Sequence, residues 1–130
     1  MTCQADTLSR AYVFIFACAF AIGGINHARD LALGGVLPYH AVPLSINVFW
    51  TALCPIDFAL AAAVWLRRRT TVVAGVLVML TDVGVNSWVG YFSGVRVSSF
   101  EPLQVQSMFL GFLLGGALFV LPPVSRPTSP

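Results

Sequence analysis

The chain has 130 residues, 58% of them hydrophobic and 9% charged, with a mean hydropathy of +0.85 and a formal net charge of +2. A soluble domain carries about 25% charged residues, so this chain has too little polar surface to coat a water-soluble globule and belongs in a bilayer. The small net charge and the lack of a basic stripe exclude nucleic acid as a partner, and no P-loop, GxGxxG, HExxH or GxSxG segment is present.

Four apolar segments follow one another, each near the roughly 20 residues that cross a hydrocarbon core. The first spans about 11–28 and reads as helix toward Leu33. A cleaved signal peptide is disfavoured there, because no small-x-small site follows and Asp6 weakens the basic start. The second span is 44–66, the third 71–92 and the fourth 103–121. The expected fold is all-α, an antiparallel four-helix transmembrane bundle in one domain covering 1–130. The tail 122–130, with Pro123, Pro127 and Pro130, cannot continue a helix and is expected to be disordered.

All basic residues are arginines. With the turn bearing Arg67, Arg68 and Arg69 in the cytoplasm, Arg10 and Arg126 are inside too, and only Arg29 and Arg96 are outside. The bias matches the positive-inside rule and puts both termini in the cytoplasm. Arginine-only usage with abundant Ala, Gly and Val points to a GC-rich bacterial genome, hence a bacterial cytoplasmic (inner) membrane. Tyr12 and Trp65 fall at inner-interface depth, and Trp50, Trp88 and Tyr91 near the outer side, as an aromatic belt does. The outer loop from Ala28 to Pro43 is too apolar to lie free in water and is expected to fold over the bundle mouth. The one from Ser93 to Pro102 is short and polar. Cys18 and Cys54 read as buried small apolar residues, and the absence of C-x-x-C argues against thiol–disulfide chemistry.

Asp57 and Asp82 carry the most information. At about 1.5 Å per residue, Asp57 lies roughly 15 Å in from the arginine turn and Asp82 roughly 20 Å. An ionised acid there costs about 3 kcal/mol on insertion scales, which marks each as a functional-site candidate. Asn47, Trp50, Cys54 and Asp57 share one helical face; Gly75, Met79, Asp82, Asn86 and Gly90 share another. A tight turn makes the two helices neighbours, so the polar faces meet and the two acids come within reach of each other. Three readings compete: hydrogen-bonded glue between helices, a proton- or cation-handling site in which the pair shares a proton, and a small-ligand pocket in which an acid meets an amine or hydroxyl. Spacing alone does not separate them. Pro55 loosens the second helix beside Cys54 and Asp57.

His27 closes the first span in Gly24-Ile25-Asn26-His27, with Asp30 one turn on. It can carry a proton, meet a quinone-like carbonyl, or join His40 on a metal. Two histidines are too few for a metal or haem centre, so no metal is expected. Gly111-x-x-x-Gly115, followed by Gly116, is a helix-packing signal, used inside the bundle or as a homodimer seam. Lacking charge, the fourth span reads as scaffold.

Gly24-Ile25-Asn26-His27, Asp57, the turn Leu66-Arg67-Arg68-Arg69-Thr70 and Asn86 together resemble the DoxX-like group of small four-helix bacterial membrane proteins, over roughly residues 12–92. The second-helix acid is often Glu in that group and is Asp here. A fainter similarity is to eukaryotic four-helix sterol-handling proteins of the EXPERA type, which also place acids inside the bundle. The DoxX resemblance implies an accessory or small-lipophile-binding protein, with quinone as the cofactor to consider and a second membrane subunit or a homodimer as partner. The expected ligand- or proton-handling residues are Asp57, Asp82, Asn86, His27, Asn47 and Trp50. The alternatives are a small proton-coupled transporter and the membrane subunit of a quinone-linked oxidoreductase; the chain itself reads as a non-enzyme.

Overall fold

The structure, a computed structural model, describes residues 2–94 and 101–120; for 2–6, 118 and 119 only the backbone is described. It is all-helical. Helix α1 runs Thr2–Gly34, α2 Leu44–Ala63, α3 Arg68–Phe92 and α4 Glu101–Val120. Chain neighbours pack on each other and α4 returns to α1, so the helices close a ring in chain order, with the α1–α2 seam the broadest and α3–α4 next.

The helix ends follow from local chemistry. Gly35 takes φ +84°, and its N–H reaches the carbonyl of Leu31 at 3.0 Å. This is an αL stop, which glycine adopts without a Cβ penalty. The chain then meets Pro38. α2 begins directly after Pro43, whose carbonyl accepts from the N–H groups of Ile46 and Asn47. α3 stops at Phe92, with Ser93 as its cap and Gly94 at φ +74° beyond it.

Several expected boundaries move. α1 continues to Gly34, so the connection to α2 starts at Gly35 instead of Ala28. A helix of 33 residues is about 50 Å long, well over a hydrocarbon core of about 30 Å. The α2–α3 turn lies three residues earlier than the sequence suggests: α2 ends at Ala63, Arg67 caps α3, and Arg68 and Arg69 already belong to its first turn. Arg68 donates from Nη1 to the Ser9 hydroxyl at 3.0 Å and ties this turn to the start of α1. Residues 95–100, with Arg96, and the tail 121–130, with Arg126, lie outside the described residues.

Three helices are long and apolar enough to cross a membrane: Thr7–Gly34, Leu44–Ala63 and Arg68–Phe92. Their outer faces carry large exposed apolar side chains, among them Phe14, Ile22, Ile25, Phe58, Leu77 and Leu80. Inside, the core gathers near the α2–α3 turn. Tyr12, Val13, Phe16 and Phe20 of α1 meet Leu60 and Val64 of α2, Val72 and Met79 of α3 and Leu113 of α4. The rings interlock, with centroids 4.6 Å apart for Phe16–Phe20, 5.1 Å for Tyr12–Phe112 and 5.4 Å for Phe20–Phe109. Gly75 makes room for Phe16 and Phe20: a Cβ there would stand 2.6 Å from the Phe16 ring.

Two aromatic and cysteine expectations change with this packing. Tyr12 is a core residue and not an interface anchor, because its ring is buried and its hydroxyl donates to the Leu113 carbonyl at 3.1 Å. Trp65, Trp88 and Tyr91 do face outward. Cys18 is exposed on the outer face of α1, and Cys54 is half-buried with its thiol directed at the Gly24 carbonyl.

Candidate functional site

Toward the opposite end from the aromatic core, the four helices line a half-open cavity of about 800 Å³. Small-molecule sites run about 300–1,000 Å³. Its walls are mainly apolar, with Phe20, Leu53, Val78, Met79, Val105 and Phe109. Its polar groups are unusual in kind. Of the five acids in the whole chain, four line this cavity: Asp30, Asp57, Asp82 and Glu101. No arginine among the described residues lines it.

Asp57 arrives on the inward face of α2. It is 7% exposed, and its carboxyl has no hydrogen-bond partner among the described residues. It reaches the cavity over the backbone of α1. The pair Gly23-Gly24 makes this seam close: a Cβ at Gly23 would stand 2.6 Å from Asp57 Oδ2, and one at Gly24 would stand 3.1 Å from the Phe58 ring. Pro55 cannot donate to the Thr51 carbonyl, so α2 is loosened one turn before Asp57. The Thr51 hydroxyl is also buried without a partner.

Asp82 is the opposite case. It is 5% exposed and hydrogen-bonded at both oxygens. Oδ1 accepts from Asn86 Nδ2 at 2.7 Å, and Oδ2 accepts from Gln106 Nε2 at 2.9 Å. Asn86 Nδ2 also donates to the Asp82 carbonyl at 2.8 Å, which holds its amide over the carboxylate. Asp82 thereby joins α3 to α4. The two acids share one cavity, as the facing stripes predict, and no hydrogen bond joins them.

At the mouth, Tyr39 from the α1–α2 connection is the hub. Its hydroxyl donates to Asp30 Oδ2 at 2.9 Å and lies 2.9 Å from His27 Nδ1. A hydroxyl has one hydrogen, so in this arrangement Nδ1 carries the imidazole proton and donates to Tyr39, leaving the Nε2 lone pair free. Burial, and then the Asp30 carboxylate beside it, push the Tyr39 phenol well above its ordinary value of 10.0. The Tyr39 ring packs edge-on against Trp50, 5.1 Å between centroids. Beneath them a smaller space of about 160 Å³ is lined by His27, Asp30, Tyr39, Trp50, Asp82, Asn86 and Gln106. Trp50 Nε1 and Gln106 Oε1 are buried without partners.

The residues expected from sequence therefore divide. Asp57, Asp82 and His27 line the large cavity, and Asn86 and Trp50 line the small one. Asn47 lines neither: its amide clamps the connection, accepting from the Tyr39 N–H at 3.2 Å and donating to the Leu37 carbonyl at 3.1 Å. Among the described residues no group of three His, Cys, Asp or Glu could hold a metal. Gly111 and Gly115 face open space; the tight glycine contact of α4 falls at Gly116, where a Cβ would run into the Tyr12 ring.

Sequence reasoning passed over Gln106 and Tyr39. Gln106 had a usable signal, since an amide in an apolar span must find a polar partner. Tyr39 had none, because its position is set by a loop. Of the donors that a quinone's carbonyls need, the Gln106 amide nitrogen is committed to Asp82, while the buried Trp50 Nε1 beside the smaller space has no partner. Comparison with protein-family models, with curated proteins and with solved structures found no match to this chain.

Proposed function

We propose that this is a multi-pass protein of the bacterial cytoplasmic membrane, an antiparallel four-helix bundle that binds a small lipophilic molecule in its intramembrane cavity. The observation that carries this reading is Asp57: a nearly buried carboxyl, without a partner, on the wall of an otherwise apolar cavity of about 800 Å³. Its carboxyl is open to the cavity, so a donor carried by an occupant can reach it. Three helices of membrane-crossing length, with apolar outer faces, support the bilayer setting. The Arg68–Ser9 contact supports a common end for the α1 start and the α2–α3 turn, and the arginine bias puts that end and both termini in the cytoplasm. The protein acts as an accessory or carrier component, of the kind the DoxX-like resemblance implies, and not as an enzyme.

The test is photolabelling in lipid vesicles with an alkyl diazirine, a lipophilic probe that inserts where it resides. Adducts on Met79, Leu53 and Phe109, displaced by excess unlabelled lipophile, are the expected result. Adducts confined to lipid-facing positions such as Phe14 and Leu77, and not displaceable, would overturn the reading.

A further inference from the structure

Resting on that reading, we propose that the ligand is an organic cation: a protonated amine with an apolar tail, whose ammonium group meets Asp57. Two independent observations converge. The wall collects four of the chain's five acids and no described arginine, so its field favours positive charge. Separately, Asp57 is more than nine-tenths buried, unpartnered and directed into the space. An ionised carboxylate is an acceptor only. It therefore needs donors, which an ammonium group supplies in a charge-assisted hydrogen bond.

The surroundings set the rest of the ligand. Both Asp82 oxygens already accept hydrogen bonds from Asn86 and Gln106, which leaves Asp57 as the more open of the two buried carboxyls for the head group. The Phe20 and Phe109 rings line the same cavity, and aromatic faces attract cations in desolvated sites. Leu53, Val78 and Met79 give the tail an apolar bed. A bare metal ion is a poor occupant, because the described residues bring no three ligating side chains together. A fatty acid is repelled by the same four carboxyls. A fatty alcohol has one hydrogen to donate to Asp57 and no charge.

The experiment is competition against the alkyl diazirine label in vesicles at pH 7, with three probes of one chain length: dodecylamine, dodecanol and dodecanoate. The proposal expects dodecylamine to displace the label at the lowest concentration and dodecanoate at the highest. In Asp57→Asn the dodecylamine advantage over dodecanol should shrink by about thirtyfold or more, the loss typical of removing one partner of a buried charge pair. Equal displacement by all three probes leaves a lipophile pocket standing and overturns the ammonium assignment. No displacement by any probe overturns the pocket itself. An amine preference unchanged in Asp57→Asn overturns the role of Asp57. The ranking in the wild-type protein needs no variant, so a variant that failed to fold would still leave the proposal exposed to refutation.

Discussion

The two ends of the helix ring are built on opposite principles. Near the α2–α3 turn the interior is close-packed and aromatic, with Phe16, Val13, Val64, Val72 and Leu113 fully enclosed and the buried Tyr12 hydroxyl bonded to a backbone carbonyl. At the other end the same four helices part around a cavity, and the polar groups gather there with their needs unequally met. The same helices thus separate stability from function along their length. The closed end fixes how the helices sit, and the open end keeps an acid that contributes nothing to that.

The sharpest way to break this contrast is at the closed end. Phe16→Ala empties the space between Phe20 and Gly75 and should destabilise the protein by about 3–5 kcal/mol, read from unfolding in detergent. A loss well below that range would mean that the aromatic stack does not hold the ring closed. Gly23→Ala tests the seam where the two ends meet. Its Cβ would meet the free end of the Asp57 side chain, which can turn aside, so little stability is lost and weaker probe labelling of the cavity is the expected effect. Labelling unchanged by the alanine would contradict the close approach of Asp57 to α1.

At the mouth, Tyr39→Phe removes the link between His27 and Asp30 and should cost about 1 kcal/mol. The pH dependence has a definite sign. The folded state raises the phenol's ionisation above its ordinary 10.0, so it favours the neutral hydroxyl. The contribution is complete below pH 10 and is lost as pH rises above it. Wild type should therefore lose stability above pH 10 more steeply than Tyr39→Phe, and parallel curves would remove the phenol from the account. The smallest effect is expected from Gly115→Ala, which meets open space within the chain and should stay within about 0.5 kcal/mol. A marked drop in oligomer size in that variant would instead assign the Gly111–Gly115 face to a homodimer.

Much of the open end was legible in the sequence for a simple reason. A polar residue in an apolar span must turn inward, so the stripes ending in Asp57 and running through Asp82 and Asn86 gave their faces away. The four apolar segments likewise announced four helices. Other features were set by tertiary detail that periodicity does not carry. Whether Gly115 or Gly116 meets another helix depends on a rotation of α4 that one sequence leaves open. Tyr12 has the amphipathic look of an interface anchor, and its burial follows from the placement of Gly116 opposite it. Asn47 looked like a site residue because it shares a face with Asp57, yet the connection bends back to use both ends of its amide. The pairing of Asp82 with Gln106 joins residues 24 apart in sequence and needed the ring to be closed.

The most direct test of the central claim compares the two acids by the stability each one lends. Thermal unfolding in detergent, without added ligand, would be measured for wild type, Asp82→Ala and Asp57→Ala. Removing Asp82 strands the Gln106 amide nitrogen and should cost about 1–3 kcal/mol. Removing Asp57 strands nothing and deletes a buried, unpartnered carboxyl, so that variant should be as stable as wild type or more so. The reverse order, with Asp57→Ala the damaged variant and Asp82→Ala unaffected, would show that Asp57 is structural glue and would contradict the account.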